Sequence, residues 1–220
     1  MRTKKLPLVE RLMIFLGMFC FGVLLYRCLF TWNLHYSFFL WNLLIAFVPY
    51  VISKQLLKCK ELNIKAILLL FTWMLFFPVC IYLFTDILEM HNSDSFYFVY
   101  DALLFVSFAI TGLLPGLVSL KQIETFLGKH IPGFFVKTCV LFFIFLSSYS
   151  ICLVRFLHLK SWNIIADSQT ILYATERDVL NPESHVRIWL TIFLVVLLVD
   201  VIYIGFKKLY FYDRPLFKIK

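Results

Sequence analysis

"AILLLFTWMLFFPVCIYLFTDILEMH", Ala66 to His91, begins as hydrocarbon and ends as a cluster of acid, hydroxyl and imidazole. From Ala66 to Phe84 it is apolar almost without interruption, close to the roughly 20 residues that carry a helix across a bilayer. A barrel strand would alternate and stop after about ten residues, so the pattern argues for a spanning helix. Runs of similar length recur along the chain. The expected fold class is all-α: a polytopic six-helix transmembrane bundle forming one integral-membrane domain over residues 1–220.

Composition agrees. Of 220 residues, 62% are hydrophobic, 26 are Phe, and only 15% are charged. A water-soluble domain of this size has too little interior for so much apolar surface, and about a quarter of its residues would be charged. The net charge of +8 does not point to nucleic acid, because the basic residues flank apolar segments instead of forming a domain of their own. They fit topology signals and contact with anionic lipid.

The spans are read as Leu12–Leu29, Tyr36–Ile52, Ala66–Phe84, Phe96–Leu120, Gly133–Val154 and Ile188–Phe206. The first has basic residues before it but no small-x-small cleavage site, so it is read as retained. Short connections predict antiparallel neighbours in one bundle, the exception being Arg155 to Arg187. Lys and Arg cluster at the N-terminus, at Lys54 to Lys65, at Lys121 to Lys137 and at the C-terminus. The opposite side holds only Arg27, Arg155, Lys160, Arg177 and Arg187. This bias predicts that both termini are cytoplasmic. The long outer loop carries an apolar stripe, and residues 161–181 are expected to lie on the membrane surface as an amphipathic segment. Asn181-Pro182-Glu183 then supplies a helix start.

Ionisable groups inside spans are expensive and therefore functional candidates. They gather on the outer side. The third span ends at Thr85, Asp86, Glu89 and His91, and the fourth begins with Tyr97, Tyr100 and Asp101. The fifth exits through Ser147, Ser148, Ser150 and Arg155, followed by His158, Ser161, Trp162 and Asn163. Helical spacing puts Pro78, Tyr82 and Thr85/Asp86 on one face, and Asn42 with Pro49 on another. Arg155, as the only outer arginine near a span end able to meet both Asp86 and Asp101, is expected to pair with one of them in a bidentate fit. Each group also has a plainer reading: interfacial wetting for the acids, a packing kink for Pro78, solvated loop positions for Glu89 and His91. Asp200, near the inner end of the last span, is expected to meet Lys207, Lys208 or water. "GLLPG" (Gly112 to Gly116) reads as a small-xxx-small packing element. Six cysteines without CxxC or CxxH spacing predict no metal or redox role, and no glycine-rich phosphate loop points to a cofactor.

Four segments carry a resemblance: "WNLLIAFVPY" (Trp41 to Tyr50), "LFFPVCIYLFTDIL" (Leu75 to Leu88), "YDALLFVSFAITGLLPGLVSL" (Tyr100 to Leu120) and "RFLHLKSWN" (Arg155 to Asn163). In this order they resemble a bacterial integral-membrane family known as domain of unknown function 1361. The resemblance implies a bacterial inner-membrane location and a family trait at Trp41, Asn42, Pro49, Pro78, Tyr82, Thr85, Asp86, Tyr100, Asp101, Gly112, Ser119, Arg155, Ser161 and Trp162. It implies no chemistry. The chain departs from the pattern at Val79, where the family has Asn, and at His158, Leu159, Lys160 and Asn163.

The expected function is therefore an outer-facing polar and aromatic cleft formed by Asn42, Tyr82, Thr85, Asp86, Tyr100, Asp101, Arg155 and Trp162. It would bind or move a lipid headgroup or another small polar ligand, with membrane lipids as partners. Alternatives are a structural or accessory subunit, self-associating or joined to other membrane subunits, and an intramembrane enzyme acting on a lipid-linked substrate. The last lacks any HExxH or GxSxG signature.

Overall fold

The computed structural model describes residues 8–31, 37–85, 98–156 and 186–212. They form α1 (Leu8–Thr31), α2 (Phe38–Ala46), α3 (Val48–Leu56), α4 (Ile64–Thr85), α5 (Phe98–Leu127), α6 (Gly133–Phe156) and α7 (Val186–Tyr212). About 91% of the described residues are helical, and none of them is in a strand. Six stretches among them are long and apolar enough to cross a bilayer, with α2 and α3 together making the second. The chain is a multi-pass membrane protein, as its apolar runs imply. Its exterior agrees: Phe15, Met18, Phe71, Leu75, Phe193 and Val201 are each at least 60% exposed, a surface suited to lipid and not to water.

The second span departs from the expected single helix. Pro49 has no N–H to donate to Ile45, so the helix stops at Ala46 and closes with a tighter turn, Phe47 N–H donating to Leu44 O at 3.3 Å. In α3, Pro49 then sits in the first turn, where a missing donor does no harm. The break interrupts the register that put Asn42 and Pro49 on one continuous face. It also leaves carbonyls open. One of them, Ala46 O, accepts the thiol of Cys80 at 3.2 Å. By contrast α4 continues through Pro78, and α5 through Pro115.

At the centre lies α5. Its spanning window is 78% buried, against 17% for α1 and 22% for α7. It packs chiefly on α4, α3 and α1, while α6 packs on α7 and α4. The α4–α5 contact depends on small residues. A Cβ on Gly116 would fall 2.7 Å from Cys80 Cβ, and one on Gly112 would fall 2.5 Å from Leu83 Cδ1. One helical turn further on, Trp73 Nε1 donates to Ser119 Oγ at 3.1 Å, and that hydroxyl donates to Gly116 O at 2.8 Å. "GLLPG" and the following serine thus form a close-packing stripe, which gives Gly112 and Ser119 a structural role.

Two further residues tie the end of the bundle where α3 meets α4 and α5 meets α6. Ser53 Oγ donates to Gln122 Oε1 at 2.8 Å in a buried contact. His130 places Nδ1 2.9 Å from Phe126 O and Nε2 3.1 Å from Lys60 O, joining the two short connections.

Candidate ligand site at the N-terminal end of α5

Asp101 stands in the first turn of α5 and is only 1% exposed. A carboxylate so placed needs a cation, and α1 supplies it. Arg27 Nε donates to Oδ1 at 2.6 Å and Nη2 donates to Oδ2 at 3.2 Å, a two-point fit of the planar guanidinium to the carboxylate. Arg27 is thus an outer arginine that reaches Asp101, in a pairing the sequence reading did not consider. The Arg155 side chain and Asp86 lie outside the described residues.

The neighbouring residues on both helices are tyrosines. The rings of Tyr26 and Tyr100 lie 5.8 Å apart at 36°, and both are exposed. Below them a groove of about 310 Å³ runs between α1 and α5. Phe19, Gly22, Val23 and Leu103 form its apolar length, and Tyr26, Arg27 and Tyr100 its polar end. The groove is open beside Gly22, where an added Cβ would meet nothing within 4 Å.

Of the residues expected at this site, the structure brings together Tyr100 and Asp101. Asn42 and Tyr82 are not in the groove lining: Asn42 is half-buried in α2, and Tyr82 packs against the core of α4, α5 and α6. Thr85 is buried, and its hydroxyl donates to Tyr82 O at 2.8 Å. The serines of α6 do not add free polar groups. Ser147, Ser148 and Ser150 donate to Phe143, Ile144 and Leu146 carbonyls at 2.8–2.9 Å, the usual way a span satisfies a hydroxyl without water. Trp162, Glu89, His91, Tyr97, His158, Ser161, Asn163, the 161–181 segment and the helix start at Asn181 all fall outside the described residues.

Sequence reasoning missed Arg27 and Tyr26. The signal was present: the expected first span ended at Leu29, which put Arg27 inside it and subject to the same pairing rule as Asp101. It also missed a second polar network at the opposite end of α5. The expected edge at Leu120 left Glu124 outside the span, but α5 runs on to Leu127. Glu124 accepts from Lys121 at 3.0 Å, Lys207 at 2.5 Å and the Tyr203 hydroxyl at 2.6 Å. Lys207 is therefore taken by Glu124, and Asp200 faces a cavity. From Asp101 to Glu124 is about 34 Å at 1.5 Å per residue, a separation close to the thickness of a bilayer's hydrocarbon core.

A family profile described as a protein of unknown function (DUF1361) matches residues 41–202. That range includes Tyr100, Asp101, Gly112 and Ser119 but not α1, so Asp101 lies within the match and its partner Arg27 outside it. No curated protein and no solved structure shows significant similarity to the chain.

Proposed function

Because the chain belongs to the DUF1361 family, proteins of unknown function, its activity has to be read from its own site, and we propose that it holds a lipid headgroup, or another small polar ligand, at the outer end of a bundle in the bacterial cytoplasmic membrane. One observation carries this reading. The α1–α5 groove is apolar along Phe19, Gly22, Val23 and Leu103 and ends in two tyrosines and an arginine. A lipid enters such a groove laterally, its chain against the apolar wall and its headgroup among hydroxyls, aromatic faces and guanidinium. The orientation follows from the basic residues at the opposite end.

An accessory or structural role is the second reading. It is favoured by the Arg27–Asp101 pair, whose carboxylate is withdrawn from solvent and fastens α1 to α5. An enzymatic role has less support, since Asp101, one of its two candidate bases, is already held by a guanidinium. A photoactivatable phospholipid separates these readings. Crosslinks concentrated on α1 and α5 peptides around Gly22 and Leu103 support headgroup binding; labelling spread evenly over the exposed apolar surface supports the accessory role.

A further inference from the structure

At the other end of the bundle, α5, α6 and α7 line an open cavity of about 800 Å³ that the proposed headgroup site does not use. Its wall is apolar, with Val140, Leu141 and Ile204, and its mouth carries Lys137, Lys207 and Lys208. Lys207 Nζ bonds Glu124 Oε1 at 2.5 Å, and Glu124 also takes Lys121 at 3.0 Å, so the charge of Glu124 is met within the protein. Lys137 and Lys208 are exposed, and neither has an ion-pair partner among the described residues. Each stands about one turn inside its helix end.

We propose that this cavity is a second site, for the phosphate of an anionic phospholipid, gripped by Lys137 and Lys208 with an acyl chain along Val140, Leu141 and Ile204. Basic pockets between spanning helices on the cytoplasmic side recognise such headgroups. Asp200 lines the same cavity and is its one acid without a partner among the described residues. Its depth keeps it from serving the ammonium of an aminophospholipid. Asp200 precedes Lys208 by about 12 Å of helix, on the membrane side of the phosphate, whereas the ammonium of a zwitterionic headgroup extends the other way into water.

The test uses the full-length protein carrying Gly22→Leu, so that the α1–α5 groove contributes nothing. After incubation with equimolar phosphatidylglycerol and phosphatidylcholine, bound lipid is counted by native mass spectrometry. Phosphatidylglycerol is retained over phosphatidylcholine, and the Lys137→Gln/Lys208→Gln pair lowers its retention by about tenfold. Asp200→Asn leaves it equal or raises it. The proposal is overturned if the double lysine variant, with unchanged helical circular dichroism, retains phosphatidylglycerol fully. It is equally overturned if Asp200→Asn abolishes retention, the mark of a cationic ligand, or if inorganic phosphate alone displaces the lipid.

Discussion

Arg27 and Asp101, 74 residues apart in sequence, meet through two parallel hydrogen bonds of 2.6 and 3.2 Å between α1 and α5. Their side chains are 12% and 1% exposed, so the pair is shielded from water on both sides. Removing one partner leaves the other charge buried. Asp101→Asn is expected to lower stability by about 3 kcal/mol, whereas Arg27→Met/Asp101→Leu together recover most of that loss. Unfolding titrations in mixed micelles measure both; equal losses for the single and double variants would show that the pair itself does not set the cost.

Glycines on α1 and α5 give a contrast. Gly116→Ala forces a methyl against Cys80 Cβ at 2.7 Å, and overpacking of this kind costs about 1–3 kcal/mol. Gly22→Ala meets open space and gains about 1 kcal/mol of helix propensity. Thermal melts of the two variants should therefore move in opposite directions. A neutral Gly116→Ala would mean that α4 and α5 are not in close contact.

Cys59 tests orientation. It lies in the short connection between α3 and α4, and the proposed orientation, argued from the excess of Lys and Arg on that side, would put it in the cytoplasm. In a variant keeping Cys59 as its one cysteine, a membrane-impermeant maleimide is expected to label inverted vesicles and spare right-side-out ones. The reverse pattern would turn the bundle over, and the two polar ends with it.

The spanning helices were legible because a bilayer demands length and hydrophobicity, and both are written locally. Asp101 was legible for the same reason, as a carboxylate within a span. Arg27 was legible in the same way, as an arginine within the first span, but its pairing with Asp101 was not, because the sequence does not say which helices touch. Reasoning from short connections favoured consecutive neighbours, whereas α1 makes its main contact with α5. The reach of α5 to Leu127 was hidden by its charges: Lys121 and Glu124 read as a loop until Lys207 and Tyr203, some 80 residues later, are seen to satisfy Glu124. Ser147, Ser148 and Ser150 misled in the opposite sense. They counted among the polar groups gathered at the outer side, but their hydroxyls are spent on their own helix.

The most direct test of headgroup binding fills the groove without touching the ion pair. Gly22 lines the groove and has no atom within 4 Å of where its Cβ would be, so Gly22→Leu occupies the acyl path while leaving Arg27 and Asp101 in place. The measurement is lipid extracted from the purified protein, normalised per chain and compared between the native sequence and Gly22→Leu. The account predicts that one lipid class is retained by the native chain and falls by at least about half in the variant, at a melting temperature no lower than that of the native chain. Identical lipid content in the two proteins would contradict it and leave the Arg27–Asp101 end as a structural lock.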